Sequence, residues 1–135
     1  MHSLTIPANS LINLARECNP QEEILSWAEK KINYLLELGF NCENLIMDIG
    51  IGFNKTMAQS WYLLRNIDRF QTLPVEIMVG HSRKRFLNKI TTKPYHERDF
   101  ESAIIASNLL KQGVDYVRLH SYNYCEQICT ILNNI

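Results

Sequence analysis

A chain of 135 residues has room for one domain of ordinary size, and its 46% apolar and 21% charged residues sit near the averages of globular proteins, which argues against disorder and fibrous repeats. Its 14 Lys and Arg balance 14 Asp and Glu. The net charge of zero removes any bulk electrostatic drive toward nucleic acid or an anionic membrane, so a bound anion needs a local cationic cluster.

Residues 1–15 carry no formal charge, but His2, Ser3, Thr5, Pro7, Asn9, Ser10 and Asn13 interrupt them and the start is not basic, unlike a membrane span or a signal peptide. Met1-His2-Ser3-Leu4 reads as the tail of a strand. Asn19 is placed to cap a helix, Pro20 suits its first position, and Glu22 is placed to reach back to the cap. Ile24, Ala28, Ile32, Leu35 and Leu36 then recur at helical spacing until Gly39 offers a left-handed stop.

Next, Leu45-Ile46-Met47-Asp48 reads as a short strand and Gly50-Ile51-Gly52-Phe53 as a glycine loop. Thr56 opens an amphipathic stretch through Trp61, Leu64, Ile67 and Phe70. The unit repeats: residues 75–80 (V-E-I-M-V-G) form a buried strand, with His81-Ser82-Arg83-Lys84 leaving its carboxyl end. After the loop Thr91-Thr92-Lys93-Pro94, a helix from about Asp99 carries Ile104, Ile105, Leu109 and Leu110 up to Gly113. Residues 115–120 (D-Y-V-R-L-H) make a further strand, followed by a helix over roughly residues 124–132. Cys18, Cys42, Cys125 and Cys129 contain no C-x-x-C pair, and the gap between the last two suits one helix face better than a zinc ribbon. Reduced thiols and a cytoplasmic location are therefore expected.

This alternation argues for parallel β/α units with helices outside the sheet. Counting the first segment, 135 residues hold four units of about 34 residues each, against about 31 in an eightfold barrel of ~250 residues. Half a barrel and a four-stranded doubly wound sheet both satisfy this spacing. In either, chemistry belongs at the carboxyl ends of the strands, where Met1 and His2, Asp48 with Gly50 and Gly52, Ser82, Arg83 and Lys84, and Arg118 with His120 fall. Asp48 suits the amino-pyrimidine edge of a ring and Lys84 a ring oxygen or nitrogen; Arg118 and His120, two apart on one strand, suit phosphate oxygens.

The segment Asp48-Ile49-Gly50-Ile51-Gly52-Phe53-Asn54-Lys55-Thr56 resembles the D-P-G-x-G-F-x-K-T of dihydropteroate synthases. Gly80-His81-Ser82-Arg83-Lys84 resembles their G-x-S-R-K, Arg118-Leu119-His120 their R-V-H, and Met1-His2 the M-H of the preceding strand end. The resemblance covers essentially the whole chain. It implies that residues 1–135 are a pterin-binding domain, the carboxyl-terminal half of a TIM (β/α)8 barrel. The implied activity is a folate-pathway transferase that condenses p-aminobenzoate with 6-hydroxymethyl-7,8-dihydropterin diphosphate and releases diphosphate. Carried over by position, Asp48 and Lys84 would bind the pterin, with Met1 and Gly80 lining its slot. Phe53 and Ser82 would lie near pterin and p-aminobenzoate, and Arg118 with His120 would bind diphosphate; Lys84, Arg118 and His120 are the expected catalytic residues.

The resemblance also implies Mg²⁺ as helper, with its asparagine ligand in the family's amino-terminal half, so that no metal ligand is expected in this chain. Ile49 stands in place of the family's proline, and Arg85 in place of a serine near p-aminobenzoate. The first four units have no counterpart here, and Met1 matches an internal methionine of the family. The expectation is a split, truncated or mis-started half with little or no activity alone, whose partner is a complementary amino-terminal half or a second copy. An inactive remnant or interaction protein, and a methyl-tetrahydrofolate-binding domain of a corrinoid methyltransferase, are the alternatives.

Overall fold

The computed structural model describes residues 1–9 and 11–134. Helix α1 (Pro20–Glu37) starts where the Asn19 side chain accepts the Gln21 amide at 3.1 Å and stops before Gly39 at φ +91°. Glu22, expected to reach back to the cap, is solvent-exposed instead. A reciprocal capping box forms at α2 (Met57–Arg65): Thr56 Oγ1 accepts the Gln59 amide at 3.1 Å, and Gln59 Oε1 accepts the Thr56 amide at 2.9 Å. The apolar stretch expected to carry this helix on to Phe70 breaks at Asn66. Its side-chain amide donates to the Tyr62 carbonyl at 2.8 Å, and Ile67–Thr72 continues as a 3-10 turn.

Strands β1 (Ile46–Asp48), β2 (Glu76–Val79) and β3 (Tyr116–Val117) form a parallel sheet in that order, with Met47 opposite Ile77 and Val79 opposite Val117. Helix α3 (Asp99–Lys111) connects β2 to β3, and α4 (Asn123–Asn133) follows β3. The described residues thus carry three strands rather than four. The segment expected as a further strand makes one rung, the His2 amide donating to the Asp48 carbonyl at 2.9 Å. The chain then leaves the sheet because the Leu4 amide turns to Asn54 Oδ1, also at 2.9 Å. Strand β3 is shorter than the expected 115–120, although the Arg118 amide still donates to the Val79 carbonyl at 3.0 Å.

Period-two alternation separates the two faces of the sheet. Met47, Ile49, Ile77 and Val79 are buried beneath the helices with Ile24, Ala28, Ile32, Leu63, Phe70 and Leu109, forming the main core. The opposite face presents Asp48, Met78, Gly80 and Arg118 in turn, with Tyr116 Oη donating to Glu76 Oε2 at 3.0 Å nearer the strand starts. A smaller cluster of Ala103, Ala106 and Cys125, backed by Val117, Leu119 and Ile128, joins α3 to α4. All four cysteines are free thiols, and Cys125 and Cys129 lie one helical turn apart with sulfurs 3.9 Å from each other. Among the described residues no helix is long and apolar enough to cross a membrane.

Candidate functional site

Asp48 ends β1 and is 5% exposed; its Oδ1 accepts the Gly50 amide at 2.8 Å, so the carboxylate starts the glycine loop as well as facing the strand ends. Gly50 adopts φ +70°, and a Cβ there would come within 2.1 Å of the His2 carbonyl oxygen, which admits only glycine. At Gly52, φ +78°, a Cβ would meet the Lys84 stem at 3.1 Å. The stem crosses this gap to bring Lys84 Nζ within 2.5 Å of the Ile51 carbonyl oxygen and 4.3 Å of the Phe53 ring centre.

Beyond β2 the chain is held by a polar lattice. Arg83, at φ +59°, grips Asp99 with two bonds of 2.6 and 2.7 Å, and this ion pair holds the Asp99 carboxyl below the usual carboxylate range. Arg83 therefore ties the turn to the start of α3. Its amide donates to Ser102 Oγ at 3.1 Å, and Ser102 Oγ donates to the Arg98 carbonyl at 2.6 Å. Buried Arg98 donates in turn to the Lys84 carbonyl at 3.3 Å, fixing the backbone from which that lysine springs. His81 is fully buried, its Nε2 donating to the Ser102 carbonyl at 2.8 Å, and burial pushes its pKa down.

Past β3, the exposed Arg118 guanidinium lies over Gly80, where a Cβ would stand 3.0 Å from Nη2. His120 meets Ser82 Oγ twice, through its amide at 3.2 Å and through Nδ1 at 2.9 Å. Arg118, expected within a strand over 115–120, lies just past the end of β3, its amide still on the Val79 carbonyl and its head in solvent.

The structure therefore brings Asp48, Phe53 and Lys84 together around the glycine loop, and Gly80, Ser82, Arg118 and His120 together beside them. Met1, half exposed, is among the residues lining a cavity of about 90 Å³ with Trp27, Leu35, Leu45 and Val75. Cations outnumber anions in this region. Burial, and then Arg118, depress Lys84 to about 8 against the opposing pull of Asp48.

Sequence reasoning gave no role to Lys55 or to His2 beyond its place at a strand end. Lys55, 4% exposed, donates to the Gly50 carbonyl at 2.8 Å and the Phe53 carbonyl at 2.9 Å, and its Nζ lies 3.0 Å from His2 Nδ1. Burial, then the Lys84 charge, lower Lys55 to about 7, while burial and Lys55 lower His2 to about 4. Asn54, at φ +52° and 2% exposed, donates to the Asn9 and Ile12 carbonyls at 2.8 Å each while accepting the Leu4 amide. The signal for both was the polar pair inside G-F-N-K-T, a loop motif that ordinarily reads as solvated.

A cavity of about 250 Å³ opens beside the loop, lined by Gly52, Phe53, Lys55, Met57, Lys84 and Arg85 among others. A larger one of about 560 Å³ lies along β3 and α4, with His120 on its rim.

A family model described as "Pterin binding enzyme" matches residues 1–120. The chain is 34% identical over 119 residues to the folate synthesis bifunctional protein of Chlamydia caviae, an alignment covering 88% of this chain and 27% of that protein. It is 31% identical over 102 residues to the dihydropteroate synthase of Haemophilus influenzae, covering 76% and 37% respectively. Among solved structures, dihydropteroate synthase from Anaplasma phagocytophilum with bound 6-hydroxymethylpterin-monophosphate superposes with a TM-score of 0.89 at 30% identity, over 99% of this chain and 53% of its own. The chain thus spans about half of that solved enzyme and a smaller share of the curated relatives, and its parallel β/α units are part of a TIM (β/α)8 barrel. It belongs to the pterin-binding enzyme family, of the dihydropteroate synthase type.

Proposed function

We propose that this chain supplies the carboxyl-terminal half of a dihydropteroate synthase site, condensing p-aminobenzoate with 6-hydroxymethyl-7,8-dihydropterin diphosphate. The observation that carries the reading is the convergence of buried Asp48 with Lys84 over Phe53, flanked by Arg118 and by His120 on Ser82. Asp48 Oδ2, left free by the Gly50 bond, accepts hydrogen bonds from the amino-pyrimidine edge. Lys84 exchanges the Ile51 carbonyl for a ring acceptor, and Arg118 and His120 take diphosphate oxygens. As the arylamine nitrogen bonds to the methylene carbon, the carbon–oxygen bond to diphosphate breaks. The electron pair leaves with diphosphate, and the proton that the amine gives up passes to solvent. Negative charge grows on the leaving group, so cations fixed beside it favour the transition state over the ground state. A pterin held at two edges presents its methylene carbon to the amine in attacking geometry.

The family resemblance implies Mg²⁺ as a helper. Among the described residues no group of three or more His, Cys, Asp and Glu comes together to hold a metal, and the asparagine that the resemblance assigns to the ion would come from the complementary half. Arg118 and His120 are exposed, and β3 has β2 as its one strand neighbour among the described residues. Closure of the site by a complementary amino-terminal half is therefore part of the proposal. Calorimetric titration with 6-hydroxymethylpterin monophosphate tests it, together with turnover of both substrates before and after adding that half from a relative. Binding that Asp48→Asn abolishes, and turnover that appears on mixing, are expected. Absence of pterin binding both alone and in the mixture would refute the reading.

A further inference from the structure

Two lysines hold the loop of residues 50–53, and the reaction described above uses one of them. Lys84 reaches the Ile51 carbonyl from the ligand side and must let go to donate to a pterin ring. Lys55 grips the same loop from below, at the carbonyls of Gly50 and Phe53, which are its two ends. Its third acceptor is His2 Nδ1, whose imidazole stays neutral because burial and Lys55 hold its pKa at about 4. Three ammonium N–H groups therefore meet three acceptors. His2 is itself anchored, its amide on the Asp48 carbonyl and its ring edge-on to Trp27 with centres 5.1 Å apart.

A loop with glycines at φ +70° and +78° has little conformational preference of its own and needs an outside tether. A buried cation is costly unless hydrogen-bonded on every side, so a lysine so placed marks a site where that geometry matters. We propose that Lys55 is a positioning residue of the pterin site: it clamps both ends of the 50–53 loop and so keeps Asp48 and Phe53 in place when Lys84 turns to the ligand. This inference rests on the pterin reading above. The ionisable groups facing Lys55 are His2 from the first segment, Asp48 from β1 and Lys84 from the β2–α3 connection; Arg85, next to Lys84, and uncharged Met57 and Ser60 of α2 line the shared cavity. Raising pH through about 7 turns the three-donor ammonium into a two-donor amine and releases one of the three acceptors.

The test compares wild type, Lys55→Met and Lys55→Arg by amide hydrogen exchange and by fluorescence titration with 6-hydroxymethylpterin monophosphate from pH 6 to 8. Lys55→Met should speed exchange of the residue 50–53 amides at least tenfold while leaving those of β2 unchanged, and weaken pterin binding at least tenfold. Lys55→Arg, which stays charged, should recover most of both. It should also lose the part of the affinity decline above pH 7 that belongs to Lys55, since the Lys84 contribution is common to both proteins. Exchange and affinity within twofold of wild type in Lys55→Met would overturn the proposal. So would faster exchange spread equally over β2, or an identical pH profile in wild type and Lys55→Arg. If wild type binds no pterin at all, the functional reading fails, and the exchange contrast still decides whether Lys55 holds the loop.

Discussion

Asn54 offers the sharpest quantitative test of how the site is built. Its side chain donates to the carbonyls of Asn9 and Ile12 and accepts the Leu4 amide, and Ser3 Oγ lies 2.8 Å from the same Oδ1. Ser3 has one proton to share with the Thr5 carbonyl at 2.7 Å, so three bonds count fully. At about 1 kcal/mol each they are worth roughly 3 kcal/mol, of which about a third returns because the freed groups of this exposed segment regain water. Asn54 also sits at φ +52°, which costs a residue with an ordinary Cβ about 1 kcal/mol more than glycine. Asn54→Ala should then lose about 3 kcal/mol and Asn54→Gly about 2, measured by urea unfolding; for a chain of this size that is about 3–5 °C per kcal/mol in Tm. Asn54→Asp keeps the acceptor but turns a carboxylate toward two carbonyls, and it should be no more stable than Asn54→Gly. Equal stability of the alanine and glycine variants, or losses under 0.5 kcal/mol on the order of experimental error in either, would refute the reasoning.

Gly80→Ala probes the anion side. Its Cβ would stand 3.0 Å from Arg118 Nη2 and push the guanidinium aside. It should weaken 6-hydroxymethylpterin monophosphate roughly tenfold more than it weakens unphosphorylated pterin, the worth of one charge-assisted bond; equal losses for the two ligands would place Arg118 elsewhere. The depressed His2 predicts acid sensitivity. Between pH 6.5 and about 4 the unfolded chain takes up a proton that the folded chain refuses, so stability should fall across that window by up to about 3 kcal/mol. Lys55 works in the same direction higher up: stability should rise from about pH 7 toward 10.5 as the unfolded lysine remains protonated. An unchanged acid limb in the urea midpoint of His2→Gln would sink the first of these.

The elements that read most directly from sequence are those whose signals are local. Asn19 and Pro20 open α1, Gly39 closes it, and Gly113 at φ +83° follows α3 as expected. Where two local signals compete, reading is harder: Glu22 and Gln59 occupy equivalent places in their helices, and only Gln59 reaches back to its cap. The grouping around Asp48 and Lys84 follows from strand ends sharing one edge of a parallel sheet, which alternation alone discloses. The supports beneath it were not legible. Lys55, His2, Asn54 and Arg98 are polar residues in loops or at a helix boundary, and their burial depends on backbone carbonyls contributed from far along the chain.

The parallel register carries a consequence for how errors are detected. Along β1 and β2, odd positions such as Met47, Ile77 and Val79 feed the core, while Asp48, Met78 and Gly80 face the other way. A slip of one residue would drive the Asp48 carboxylate under the helices and expel the core side chains in the same move. Misalignment that spoils ligand recognition thus also forfeits the hydrophobic gain of folding. Quality control of the polypeptide by chaperones and proteases, which sense only exposed apolar surface, thereby inspects the binding chemistry by proxy.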